Sequence, residues 1–157
     1  MIDYIMLPQY HFVYGLVVSL VLYFGFDVGA LGCLIFLVAT VGIDVDHYLY
    51  YVYRKRDWSL GNAIRWFMNQ KKKLDKMDRK TRGEYYSGWY FLHGFESILV
   101  FGLFGFFWNG FWFLVFGFWF HLMLDWIDQA SIMDRFDRLS SVYDFFKYER
   151  LKNVERP

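Results

Sequence analysis

The stretch TVGIDVDHYLYY, residues 40–51, sets two aspartates and a histidine inside a long apolar run. Asp44 and His47 stand three residues apart and would share one face of a helix. His121 and Asp125, in HLMLD, stand four apart, one above the other. His93 and Glu96, in HGFE, repeat the three-residue spacing, and His11 opens an earlier apolar run. These four histidines are all the chain has. Imidazole nitrogens and carboxylate oxygens together are a donor set for zinc, manganese or iron. The expected metal ligands are His11, Asp44, His47, His93, His121 and Asp125. So many donors exceed one tetrahedral shell. The cofactor reading is therefore one or two divalent ions, zinc first, with leftover carboxylates orienting ligands from behind. Asp46 is turned about 160° from Asp44 on an ideal helix. It reaches the same site only through an irregular helix, or from behind the ligands.

The elements that must carry these residues follow from hydropathy. The chain has 157 residues, 57% hydrophobic and 25% aromatic, and reads as a single membrane domain. Four apolar runs are expected as spans, at about 11–26, 28–53, 90–108 and 111–127, giving an all-α, integral-membrane four-helix bundle. The first run has no basic segment before it and no small-residue cleavage site after it, so it reads as a retained helix. All 17 Lys and Arg fall in the 54–88 loop and the 128–157 tail. Basic residues mark the cytoplasmic side, which puts the loop and both termini in the cytoplasm of a cell (inner) membrane. Every histidine, with its acidic neighbours, then falls in the cytoplasmic half of its span. Ionisable groups inside spans are costly and usually functional.

The loop and the tail each carry an amphipathic pattern: Ile64, Phe67 and Met68 in the loop, and Phe136, Leu139, Tyr143 and Phe146 in the tail. Both read as helices at the membrane surface. Lys71, Lys72 and Lys73 are the candidate headgroup-binding residues. Gly15, Gly102, Gly105 and Gly117 are expected at helix-packing contacts. The single cysteine, Cys33, excludes an internal disulfide. No phosphate-binding glycine loop, cysteine pair, serine elbow or nucleic-acid module is present, so nucleic acid is not an expected partner.

On these residues the chain resembles the predicted membrane-bound metal-dependent hydrolases that include the YdjM-like inner-membrane proteins. The early histidine corresponds to His11. IDVDH corresponds to a Pro-Asp-x-Asp-His signature at Asp44, Asp46 and His47. HGFES corresponds to a histidine segment opening a helix, at His93 and Glu96. FHLMLD corresponds to a Ser-His-x-x-x-Asp signature at His121 and Asp125. Ile43 and Phe120 stand where that family has proline and serine, and Glu96 stands where a second histidine is expected. The clustered His and Asp ligands are also distantly similar to zinc-dependent phospholipase C.

The resemblance implies hydrolysis. The expected function is a metal-dependent phosphoesterase acting on a lipid or lipid-like phosphoester, with Asp46 or Glu96 as general base. Membrane lipid is the expected partner, and self-association is left open. Two alternatives are weighed. A bis-histidine haem electron carrier would want apolar walls where these histidines have acids. A membrane adaptor would not need the buried cluster, and a metal or proton transporter would need polar groups in the outer halves of the spans, which hold almost none.

Overall fold

The computed structural model describes residues 8–132 and 137–155. The chain is mostly helical, in agreement with the all-α expectation. In order come α1 (Pro8–Gly25), α2 (Ala30–Gly42), α3 (Val45–Lys55), α4 (Leu60–Asp75), the single turn α5 (Arg79–Arg82), α6 (Phe95–Gly105), α7 (Gly110–Ile132) and α8 (Ser141–Tyr148). Two short strands, β1 (Tyr85–Tyr86) and β2 (Lys152–Asn153), pair in parallel and tie the C-terminal segment to the middle loop.

Helix α2 packs on α1 and on α7, and α6 packs on α7. The burial pattern reverses that of a soluble amphipathic helix. On α1 the buried residues are His11, Gly15 and Ser19, one every fourth position. Phe12, Val13, Val17, Val21 and Phe24 of the same helix are exposed. Leu34 and Val38 on α2 and Leu99 and Leu103 on α6 are exposed too, and Phe107, just after α6, is 87% exposed. Small and polar groups face inward and bulky apolar groups face outward, the arrangement that suits helices packed within lipid.

Among the described residues, two segments, Ala30–Lys55 and Gly110–Ala130, are long and apolar enough to cross a membrane. They correspond to the second and fourth expected spans. The other two fall short of that measure. Helix α1 opens on Pro8, Gln9, Tyr10 and His11 and is less apolar. The third helix starts at Phe95 and not at Tyr90, because the residues before it form a turn closed by the His93 N–H on the Tyr90 carbonyl. The eleven residues of α6 rise about 16 Å, against a bilayer core of about 30 Å.

The second expected span is broken beside Asp44, Asp46 and His47. After α2 ends, Ile43 and Asp44 form a tight turn. There the Asp46 N–H donates to the Ile43 carbonyl, and the His47 N–H to the Asp44 carbonyl, three residues back. The irregularity turns Asp46 inward and leaves it with no exposed surface.

Ala39, Ile43, Phe118 and Leu122 form the apolar floor beneath this turn. Gly117 sets the spacing of α7 on α2. A Cβ there would lie 2.6 Å from the Phe36 carbonyl oxygen and 2.7 Å from the Ala39 Cβ, so only glycine fits without displacement. Gly15 and Gly105 are similarly close to Thr40 and Trp112, whereas Gly102, expected at a packing contact, faces open space.

Helix α4 does more than lie on a surface. Ser59 caps its N-terminus by accepting from the Asn62 N–H, and Ala63 packs with Tyr51 and Val52 of α3. In the tail, α8 docks through Ser141, Asp144 and Tyr148. The expected apolar stripe, Leu139, Tyr143 and Phe146, is exposed. Phe136, its first member, lies outside the described residues.

Candidate metal centre

All six expected ligands converge. His11 comes from the first turn of α1, Asp44 from the turn between α2 and α3, His47 from α3, His93 from the turn before α6, and His121 and Asp125 from α7. Among the described residues, three overlapping groups could each hold an ion: His11, Asp44 and His121; Asp44, His47 and His93; and His93, His121 and Asp125.

The middle of the cluster has the spacing of a coordination shell. His93 Nε2 lies 3.2 Å from His121 Nε2. Asp44 Oδ1 lies 3.4 Å from His93 Nε2 and 3.5 Å from His121 Nε2. Asp125 Oδ2 lies 3.5 Å from His121 Nε2 and 3.7 Å from His93 Nε2. Ligands at about 2.0–2.1 Å in a tetrahedron are separated by about 3.3 Å. His93, His121 and Asp125 therefore have the spacing of three ligands on one ion, and Asp44 Oδ1 lies at nearly the same distance from both rings.

The outer partners fix which nitrogens point inward. His121 Nδ1 lies 2.7 Å from the Thr40 carbonyl oxygen. A carbonyl only accepts, so Nδ1 carries the hydrogen and Nε2 presents a lone pair when the ring is neutral. His93 Nδ1 lies 3.0 Å from Asp46 Oδ2, with the same consequence. Two lone pairs then face each other between two carboxylates, an arrangement that calls for a cation among them. Asp46 Oδ2 also accepts the Leu92 N–H at 2.8 Å, which anchors the turn bearing His93.

The remaining two histidines flank this core. His11 stacks on His121 with ring centroids 3.8 Å apart, and its Nε2 lies 3.4 Å from Asp125 Oδ1. His47 stacks on Tyr90, and its Nδ1 lies 3.3 Å from Asp44 Oδ1 and 3.1 Å from Asp46 Oδ1. His47 Nδ1 and Asp46 Oδ1 are misaligned for a hydrogen bond, and both are buried without one, as is His11 Nδ1. The donors for a second ion are therefore close by.

The two expected general bases take different places. Asp46 stands behind His93 and His47 with its carboxylate turned to protein groups, as the orienting alternative had it. Glu96 turns to the tail. His93 precedes α6 in a turn, so the expected helical three-residue spacing does not hold there. The Glu96 carboxylate accepts from the Ser140 hydroxyl, from the Ser141 N–H at 3.0 Å and from the Val142 N–H at 3.3 Å. Glu96 thus clamps the start of α8. Glu96→Ala should strand these donors and destabilise the docked tail by about 1–3 kcal/mol. Faster protease cleavage between α7 and α8, at unchanged metal content, is the expected readout.

Of the three lysines, Lys71 borders the cavity beside the cluster and pairs with Asp75 at 3.2 Å. Lys73 reaches the Val154 carbonyl, and Lys72 is exposed in the last turn of α4.

Two residues escaped the sequence reading. Arg138 pairs with Asp125 Oδ2 and lies over the Tyr90 ring. It sits in a tail of mixed charge, and no spacing links it to the cluster. Burial and the Asp125 carboxylate pull its proton affinity in opposite directions, and Asp125 prevails, so the guanidinium is held above its ordinary value. Gln70 is buried on α4 and borders the same cavity. Its place in the series Ala63, Phe67, Gln70, Leu74 marked it as inward-facing. Compared with protein-family models, curated proteins and solved structures, the chain matches none.

Proposed function

We propose that this chain is an integral membrane, metal-dependent hydrolase that cleaves a phosphoester of a lipid or lipid-like amphiphile at the membrane surface. The observation that carries the reading is the pair of facing Nε2 atoms of His93 and His121, 3.2 Å apart and flanked by Asp44 and Asp125 beside an open cavity. A divalent ion held there, zinc by donor type, would supply a water of lowered pKa and offset charge on the phosphoryl oxygens. The acids around the histidines favour such an ion over a haem. His47, at the cavity, is placed to accept a proton, and Asp46 behind it offsets the charge that develops on the ring. The order of the His and Asp elements agrees with the YdjM-like membrane hydrolases, and the basic loop agrees with a cytoplasmic site. The two apolar segments and the outward-facing apolar side chains support membrane insertion.

The test is hydrolysis by zinc-loaded, detergent-purified protein of a water-soluble phosphodiester and a short-chain phospholipid in mixed micelles. The expected result is turnover by the wild type, stimulated by the micellar substrate and reduced to background in His121→Ala. A metal-loaded wild type that releases no product from a broad panel of phosphoesters would contradict the reading.

A further inference from the structure

A cavity of about 330 Å³ opens beside the metal centre, and its lining is of two kinds. Asp44, His47, Asp125 and Arg138 border it with polar groups, while Ile64, Phe67 and Met68 of α4 give it an apolar wall. The apolar face of α4, which sequence pattern alone would lay on lipid, here overlooks the polar cluster.

Two polar groups in this lining point to a ligand. The first is Arg138. Its backbone is left-handed, with φ 65°. It is fixed there by its N–H on Asp144 Oδ2 at 2.5 Å and by its carbonyl, which accepts from the Trp126 indole at 3.3 Å. A non-glycine residue held in that region costs free energy and persists only where its surroundings over-determine it. The result is a guanidinium fixed on Asp125 and Tyr90 at the edge of the metal centre. A planar cation next to an ion site suits the oxygens of a phosphoryl group.

The second is Gln70. It is 4% exposed, and both its amide oxygen and its amide nitrogen lack a hydrogen-bond partner. A buried, unpaired amide is destabilising unless something else supplies the partner. Gln70 borders the same cavity as Arg138, so a headgroup bound there could satisfy it.

We propose that the cavity binds a single-tailed phosphate amphiphile. Arg138 and Gln70 hold headgroup oxygens against the metal centre, and one alkyl chain runs along Ile64, Phe67 and Met68. The volume is near the lower end of the roughly 300–1,000 Å³ range of ligand pockets, which suits one chain better than two. This inference rests on the hydrolase reading and names its substrate class. It also moves headgroup recognition from the lysine run to Arg138.

The test uses calorimetric titration of the full zinc-loaded chain in micelles with decyl phosphate, inorganic phosphate and decanol, with bound metal measured in each sample. Decyl phosphate should bind at least about tenfold more tightly than either of the others. Arg138→Gln should weaken decyl phosphate by about 10–100-fold, as expected for a charged hydrogen bond, and leave decanol unchanged. Gln70→Leu should weaken decyl phosphate while raising Tm, a split that a merely structural glutamine would not give. Ile64→Gln should narrow the preference for decyl over inorganic phosphate.

Equal wild-type affinity for decanol and decyl phosphate would overturn the proposal without recourse to any variant. Inorganic phosphate binding as tightly as decyl phosphate would overturn the amphiphile and leave a free-anion site. Arg138→Gln binding like the wild type at equal metal content would overturn the role of Arg138. Metal content separates the two readings. Arg138-dependent phosphate binding without bound metal contradicts the hydrolase alone, whereas bound metal without such binding contradicts this proposal alone.

Discussion

His93→Ala and His121→Ala are each expected to retain less than about a tenth of the metal bound by the wild type after purification without chelators. Each ring supplies an inward donor, and the two Nε2 atoms lie 3.2 Å apart. Loss of an outer partner alone typically lowers metal affinity 10–100-fold, and loss of a ligand is expected to cost more. Both rings are almost fully buried, so an alanine also leaves a cavity. Helical circular dichroism of the variants must therefore accompany the metal count. Lys72→Ala, on an exposed part of α4, is the control and should bind metal like the wild type. Full metal retention by either folded histidine variant would remove that ring from the shell.

Asp46→Asn should lower metal affinity about 10–100-fold while leaving the stoichiometry at saturation unchanged. Asp46 Oδ2 accepts from both His93 Nδ1 and the Leu92 N–H. An asparagine oxygen can keep those two bonds. The amide removes the negative charge that makes the ring of His93 a better donor, and it turns an NH₂ group towards His47. Asp46→Ala should do worse, since it leaves the Leu92 N–H and His93 buried without an acceptor. Competition against a chelator of known affinity measures both. Unchanged affinity in Asp46→Asn would mean that His93 is oriented by the turn alone.

The parts of this centre that were legible in the sequence are those in which side-chain chemistry is expensive. His11, Asp44, His47, His93, His121 and Asp125 stand out because ionisable groups in apolar runs need a reason. The structure brings the six together. The relation of His121 to Asp125 was also legible, because a regular helix fixes the four-residue spacing. Backbone irregularity was not. Nothing in GIDVDHY announces the tight turn at Ile43 and Asp44 that swings Asp46 inward. Nor does HGFE announce that its histidine precedes the helix while its glutamate faces α8. The three-residue periodicity of a helix does not extend across a helix start. Arg138 was hidden for another reason. Its role depends on the tail folding back so that Glu96 can hold Ser140 and Ser141, a contact across more than forty residues that no local pattern encodes. Hydropathy likewise marks the third apolar run but not that its helix, α6, holds only eleven residues.

The central claim is that His93 and His121, with the carboxylates beside them, hold a divalent ion. The most direct test is elemental mass spectrometry of the wild-type chain, purified in mild detergent without chelators and again after reloading with zinc, manganese or iron. One to two equivalents of a single divalent metal per chain is the predicted result. Less than about a tenth of an equivalent in folded, reloaded protein would contradict it, and would leave the facing histidines bridged by a proton in place of a metal.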